Sequence, residues 1–353
     1  MLLYRMLKQS FFPKRKINIF EKERSMKKHY QYIVTGAAGL IGGAIVRELN
    51  RRGITDILTV DHLSCSEKWK NLRESSFADY MERDVFRNAV KENTVSAEVM
   101  IHMGACSSTT ETDASYLIDN NYNYTKEMAE FCVKNGIPFL YASSAATYGG
   151  GECGYKDDES SIEELRPLNM YGYSKQLFDL WAKRNGYLSK ITGVKFTNVF
   201  GPYEKHKNNM RSMVIRSFEQ IRETGKVCLF KSYRPEFTDG GQKRDFIYVE
   251  DAANMVLGLL EKKAVGIYNI GSGRAETWNS LAEAVFKAMK KPVQIEYIEM
   301  PESLRPKYQY YTCADMTKFD AVGTGIKARS LEDAAADYVA ILNAGLNKYG
   351  DLQ

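Results

Sequence analysis

Tyr171 and Lys175 stand four residues apart in the string YGYSK. On an α-helix that spacing places both on one face, while Tyr173 points elsewhere. An ammonium beside a phenol favours the phenolate and lowers its pKa from about 10 towards neutral pH. The phenol then works as a general acid or base on a carbinol, and the same lysine can hydrogen-bond a ribose. By itself Tyr-x-x-x-Lys is more often an ordinary amphipathic helix. Ser144 sharpens it: the residue ends the apolar run FLYASS (139–144), where its hydroxyl can share an oxygen with Tyr171.

A second cluster is GAAGLIG (36–42), with Gly36, Gly39 and Gly42 spaced by three. It follows the strand pattern QYIVT (31–35) and opens a helix over Ile41–Arg51. Glycines there permit a tight turn and let backbone amides approach a pyrophosphate at the helix N-terminus. Asp61 ends the next strand pattern, ILTVD, 19 residues after Gly42. An acid at that place binds adenosine ribose hydroxyls. Its charge repels a 2′-phosphate and favours NAD, but His62, Lys68 and Arg83 offer compensating charge. Physics alone leaves NAD and NADP open.

These residues need a scaffold. VMIHMGA (99–105), FLYASS and VKFTNVF (194–200) alternate with helical patterns from about Asp113 to Asn135 and from about Tyr171. Strands separated by helical crossovers predict βαβ units, and near-continuous apolar strands predict a sheet covered on both faces. The expected fold is therefore α/β, a Rossmann-type doubly wound parallel sheet, with Ser144 at the carboxyl edge where such sheets bind ligands. After Gly201-Pro202 the rhythm changes. SYRPEFTDGGQ reads as a loop, then come FIYVED, a helix from Ala252, YNIGSG, a helix from about Trp278, VQIEYIEM and a helix from Leu331. This predicts a smaller, interwoven α/β substrate-binding domain. Residues 26–200, with about 247–274 and 306–323, would form the dinucleotide-binding domain. About 201–246, 275–305 and 324–353 would form the other, with the ligand cleft between them.

The 353 residues suit such a pair of domains, and 44% apolar against 26% charged residues is a globular balance. No apolar run approaches the roughly 18 residues of a membrane span. The net charge of +5 lies entirely in residues 1–25, which carry seven basic and two acidic groups; the rest is balanced, so no nucleic-acid footprint is expected. Residues 1–25 also lack an apolar signal core. They read as a non-core extension, with initiation expected at Met26 and a basic docking tail as the alternative. Cys65, Cys106, Cys132, Cys153, Cys228 and Cys313 form no CxxC, and four histidines form no HExxH, so neither zinc nor a disulfide framework is expected. Reduced thiols and a cytoplasmic location follow.

The glycine turn, Ser144, Tyr171 and Lys175 together resemble the extended short-chain dehydrogenase/reductase family, whose members mostly act on nucleotide sugars. The resemblance runs over about residues 30–345. Sugar dehydratases of that family place an Asp-Glu pair after the serine; Ala145 and Ala146 stand here, which leaves epimerase, reductase or decarboxylase. GACSSTTETD (104–113), YASSAATYGG (141–150), PLNMYGYSK (167–175), NVFGPYEKHK (198–207), KRDFIYVED (243–251) and YNIGSGRAET (268–277) resemble the epimerase branch that works on ADP-linked heptoses of the lipopolysaccharide core.

That resemblance implies transient oxidation at C6 by bound NADP, with Tyr171 serving one face of the carbinol and Lys207 the other. Desolvation and neighbouring cations can depress a lysine enough for this. By the same resemblance Gly36, Gly39, Leu40, Ile41, Gly42, Asp61, His62, Lys68, Arg83, Met103, Gly104, Ala105, Cys106, Ser107, Asn120, Lys175 and Val199 line the cofactor. Asn198, Asn209, Arg216, Phe230, Lys231, Ser232, Tyr233, Arg244 and Tyr308 contact the ADP-heptose, Arg244 suiting a diphosphate through its planar fork. A homo-oligomer is also implied. The chain departs from the pattern at Asn209 (Ser expected), Arg216 (His expected) and His62 (Asn expected), and in a longer loop between Phe230 and Lys243. A UDP-hexose 4-epimerase is the near alternative. A non-catalytic dinucleotide sensor is the distant one, and the intact Tyr171, Lys175 and Ser144 argue against it.

Overall fold

The computed structural model of the chain describes residues 27–302, 304–305 and 308–344. The extension expected over residues 1–25 and the start at Met26 lie outside them. β1 (Lys28–Thr35) carries fully buried Ile33 and Val34 and runs parallel to β2 (Ile57–Asp61) and β4 (Val95–His102), pairing Val34 with both Thr59 and Ile101. β3 (Asp79–Glu82) is a strand the sequence pattern does not show. Its four half-buried residues, acidic at both ends, lie at the sheet edge, where pairing needs no apolar run.

β5 (Phe139–Ser144) and β6 (Thr192–Phe196) extend the sheet on the other side. With β10 (Gly266–Ile270) they complete seven parallel strands in the order β10-β6-β5-β4-β1-β2-β3. Strand order reverses between β1 and β4, and open sheets bind ligands outside the carboxyl ends at that point.

Helices cover both faces. α1 (Leu40–Arg51) buries Ile45, Val46 and Leu49 on one face. α2 (Arg83–Lys91), α4 (Tyr124–Asn135) and α5 (Met170–Arg184) bury Phe86, Met128 and Phe178 on the other. The helix expected over Asp113–Asn135 is not uniform: the short α3 (Ala114–Leu117) passes through a π-helical stretch, Ile118–Asn123, into α4. The wider turn accommodates buried Asn120 and Asn121, polar residues that a regular apolar face would not take. VKFTNVF also splits. After Thr197 the chain leaves the large sheet, and β7 (Asn198–Phe200) pairs instead with β9 (Lys243–Tyr248).

The smaller lobe holds β7, β9 and β11 (Ala275–Thr277) in one sheet, and β8 (Val227–Phe230) beside β12 (Ile295–Ile298) in another. α6 (Met213–Thr224), α8 (Trp278–Ala288) and α10 (Leu331–Asn343) close its core around Phe218, Leu229, Tyr248, Phe286 and Tyr338. Between these pieces α7 (Val249–Glu261) returns to the large sheet, where its Val256 and Leu259 pack with α1. α7 begins three residues before the expected Ala252. Among the described residues no helix is long and apolar enough to cross a membrane.

Candidate active site

A cleft of about 720 Å³ opens where the carboxyl ends of the large sheet meet the smaller lobe. Its floor is the glycine turn. A Cβ on Gly42 would lie 2.1 Å from the Gly36 carbonyl oxygen, so only glycine lets α1 close onto the turn. No side chain caps the start of α1 at Gly39, which leaves first-turn amides directed at the cleft as anion donors. Asp61 ties β2 to this turn: its carboxylate accepts the Ala38 amide at 2.8 Å and the His62 amide at 2.7 Å, and Lys68 Nζ lies 2.5 Å away. Arg83 donates to the Asn120 side chain at 2.8 Å, and His62 faces Glu82 at 3.3 Å.

At the other end of the cleft, Asn169 caps α5 by accepting the Gly172 amide at 2.8 Å. A Cβ on Gly172 would meet the Ala146 carbonyl oxygen at 2.7 Å, so α5 packs tightly on the turn after Ser144. Tyr171 is thereby set beside Ser144, whose hydroxyl hydrogen-bonds the phenol. Lys175 is buried one helical turn on and donates to the Ala142 carbonyl at 2.8 Å. Burial pulls its pKa down to about 8, against the opposing field of Asp179.

The phenol departs from the sequence expectation. Burial raises the Tyr171 pKa, and only the Ser144 hydrogen bond pulls the other way. The Lys175 ammonium is directed at the Ala142 carbonyl and not at the phenol. Lys207 lies on a 3₁₀ turn, Lys205–Met210, and reaches the same cleft. Burial lowers its pKa as expected, but the neighbouring charge is Glu204, which raises it, and not a cation.

All the residues expected around the cofactor line the cleft, as do Tyr171, Ser144, Lys207 and Asn198. The sugar-side set divides. The Asn209 side chain lies outside the described residues. Arg216 is exposed on α6 and away from the lining. Phe230 to Tyr233 are also absent from the lining, because their loop is pinned to the 299–310 segment. Lys231 Nζ pairs with Glu299 at 2.8 Å, the Tyr233 hydroxyl also bonds Glu299, and Arg305 stacks 3.8 Å over the Tyr233 ring. Arg244 is buried one layer behind the cleft, between the rings of Tyr308 (5.2 Å) and Trp278 (5.7 Å), and donates to the Gln309 carbonyl. Trp278 and Gln309 themselves face the cleft.

Several organising residues carry no motif. Buried Asn121 receives the Cys106 amide at 2.8 Å, returns a hydrogen bond to its carbonyl at 2.9 Å and donates to Ser174 at 3.0 Å. Its neighbourhood in the sequence, IDNNYN, is polar and carries no signal that sets Asn121 apart. Asp179, one turn after Lys175, is fully buried with Lys195 at 2.6 Å and also accepts from Tyr141 and Ser143. That cluster holds the end of β5 from beneath.

Residues 32–271 match the NAD dependent epimerase/dehydratase family. The chain belongs to that family. Within it, the ADP-L-glycero-D-manno-heptose-6-epimerase of Nitratidesulfovibrio vulgaris (strain DP4) is 50% identical over 311 residues, spanning 87% of this chain and 96% of that protein. The protein of the same name from Fusobacterium nucleatum subsp. nucleatum is 47% identical over 319 residues, with the same two shares. The crystal structure of the Helicobacter pylori ADP-L-glycero-D-manno-heptose-6-epimerase has a TM-score of 0.74 at 22% identity, covering 90% of this chain and 98% of that one. The UDP-glucose 4-epimerase of Thermus thermophilus, in complex with NAD, scores 0.72 at 24% identity over 89% of this chain and 99% of its own. At those identities the solved structures establish the fold alone. The uncapped helix start and the glycine contact that a side chain would fill, with Lys175 at the other end of the same cleft, suit the nicotinamide dinucleotide of an NAD-dependent epimerase/dehydratase.

Proposed function

We propose that this chain interconverts ADP-D-glycero- and ADP-L-glycero-D-manno-heptose by transient oxidation at C6, for lipopolysaccharide inner-core heptose synthesis. One observation carries the reading: Tyr171 from the large lobe and Lys207 from the segment entering the small one line the same cleft. The ketone must show its other face to the same hydride, and a second acid/base can serve its oxygen in the turned position. The dinucleotide, when bound, supplies the hydride acceptor and donor.

Tyr171, in its phenolate form, takes the proton of the C6 hydroxyl as C6 loses its hydride, giving a ketone on the sugar and a neutral phenol. Ser144 hydrogen-bonds the same oxygen and keeps it directed at the phenol. Lys175, one helical turn on in the same cleft, would hold the ribose of a bound dinucleotide. Once the ketone has turned over, Lys207 gives its proton to the new alkoxide as the hydride returns to the opposite face. Burial draws the Lys207 amine below the ordinary lysine range, which makes its proton easier to give. Ala145 and Ala146 leave no carboxylate after Ser144 to expel water. The relatives at 47–50% identity carry the heptose epimerase name, which supports the choice of sugar.

NADP is the proposed form of the cofactor. Lys68 beside Asp61, with Arg83 on the same rim, offsets the carboxylate charge that would repel a 2′-phosphate. Nucleotide extracted from the purified protein should be NADP, and ADP-D-glycero-D-manno-heptose should invert without added cofactor. Substrate deuterated at C6 should keep its label through the inversion. Inversion of UDP-hexoses at C4, with the heptose untouched, would replace this reading by the 4-epimerase.

A further inference from the structure

The proposed reaction leaves a buried carboxylate unused at the border of the cleft. Glu204 follows the Gly201-Pro202 turn and is wholly buried. Its carboxylate accepts the Ser212 amide at 2.5 Å and the Ser212 hydroxyl at 2.6 Å, which ties it to the start of α6. The Tyr338 hydroxyl, from the middle of α10, and the Gly201 amide hydrogen-bond the same group. Four donors converging on a buried carboxylate favour its ionised form. The Glu204 carbonyl also accepts the Lys207 amide at 2.9 Å, so the lysine stands one tight turn further along.

The near end of this segment is fixed from the dinucleotide side. Asn71 donates to the Ala38 carbonyl of the glycine turn at 2.8 Å and to the Tyr203 carbonyl at 3.0 Å. Tyr203 is buried with φ +81°, under the Arg47 guanidinium at 3.5 Å from its ring. Such a backbone conformation persists only where its surroundings impose it. The segment is thus strapped at Tyr203 to one lobe and at Glu204 to the other, with Lys207 next along the chain.

We propose that Glu204 is a positioning residue for Lys207: its carboxylate, anchored to α6 and α10, fixes the turn that carries the lysine and supplies the counter-charge that keeps the amine protonated in the cleft. This rests on the reading of Lys207 as the second acid/base. Burial draws Lys207 below the ordinary lysine range, and Glu204 pushes it back up. Burial raises Glu204 in turn, while the Ser212 hydrogen bonds and Lys207 pull it down. Other charged and titratable groups face the segment, Lys205 on the same turn among them. His206 is held neutral by burial, its pKa down at about 4, with Lys68, Lys207 and Asp61 around it. Arg211 pairs with Glu219 at 2.5 Å, and Tyr248 and Glu219 act on the far side, at Tyr338.

Competitive labelling with acetic anhydride across pH, read at Lys207 by mass spectrometry on the full chain with NADP, titrates the amine without requiring turnover. Glu204→Gln should move the Lys207 midpoint down by about one pH unit. Tyr338→Phe removes a donor from the carboxylate far from the cleft lining and should move the midpoint the same way by less. Glu204→Asp, which keeps the charge, should restore it. In the epimerase assay Glu204→Gln should lower kcat and shift the pH profile downward while KM stays near the wild-type value. An unchanged midpoint in Glu204→Gln overturns the proposal, and so does an equal shift in Glu204→Asp. If Glu204→Gln does not fold, an unshifted midpoint in Tyr338→Phe overturns it alone. Protein that titrates as stated but leaves ADP-heptose unchanged removes the functional reading and leaves the Glu204–Lys207 coupling standing.

Discussion

On the dinucleotide side of the cleft, charge is locked inside the core: Asp179 and Lys195 sit 2.6 Å apart, both buried, under the strand that ends in Ser144. On the sugar side, the bonds that hold the 231–239 loop lie at the surface, with Lys231 on Glu299 and Arg305 over Tyr233. The partners are chemically alike, but water decides their weight. A buried pair that loses one member leaves an uncompensated charge, whereas an exposed pair exchanges its partner for solvent. The first arrangement fixes catalytic geometry. The second permits a loop to differ in length without disturbing the chemistry.

The sharpest test of this contrast sets one residue from each side against the same assay. Tyr171→Phe and Lys207→Met should each lower kcat by roughly 10²–10⁴-fold, the usual worth of an acid/base group. Dinucleotide binding, measured by fluorescence titration, should survive in both. If either variant turns over at the wild-type rate, that residue leaves the mechanism. Next in size, Lys195→Met should destabilise the fold by about 3–5 kcal/mol in urea unfolding, because buried Asp179 loses its ion-pair partner. A loss too small to measure would show that the two lobes do not differ as described.

Acid titration gives a smaller effect. His102 is wholly buried between Thr35 (2.6 Å) and Thr125 (3.0 Å), and burial, helped by Lys175, lowers its pKa to about 3. The unfolded chain takes up this proton near pH 6.5 and the folded chain does not. Stability should therefore fall as pH drops from about 6.5 towards 3, by up to roughly 1.4 kcal/mol per unit from this group. Replacement by His102→Gln should flatten that part of the curve. On the sugar side, Arg244→Lys should raise KM about tenfold through loss of the planar, ring-stacked fork, with a lesser change in kcat. Smallest of all, Lys231→Met should leave stability and kcat unchanged, and a marked fall in either would return the 231–239 loop to the site.

The same division explains what the sequence reveals. The glycine turn, Asp61 and the Tyr171–Lys175 pair are legible because each function depends on residues a few positions apart within one strand, turn or helix. The seven-stranded sheet follows from the alternation of apolar strands and helices, apart from β3, whose Asp-Tyr-Met-Glu has no apolar run to mark it. Asn121, Asp179, Lys195, Asn71 and Glu204 are not legible. Each acts on a partner brought near only by the fold: Asn71 on Tyr203, Lys195 on Asp179, Glu204 on Tyr338. The shared helical face of Tyr171 and Lys175 was legible, but not that burial raises the phenol while the ammonium turns to the Ala142 carbonyl. Arg216 and Phe230–Tyr233 came from a family pattern; here the first stands exposed on α6 and the others lie outside the cleft lining, with Lys231 and Tyr233 held on Glu299.

The excursion of the chain into the smaller lobe has a consequence during synthesis. β6 leaves the ribosome with one edge bare, since Thr192 finds its neighbour only when Gly266 emerges. At about 5–20 residues per second that wait lasts roughly 4–14 s. Throughout it an apolar strand edge is open to any other extended peptide. A nascent polypeptide cut near residue 200 would keep Tyr171 and Lys175 yet lack the strand that covers this flank, and would present β6 as its sheet edge.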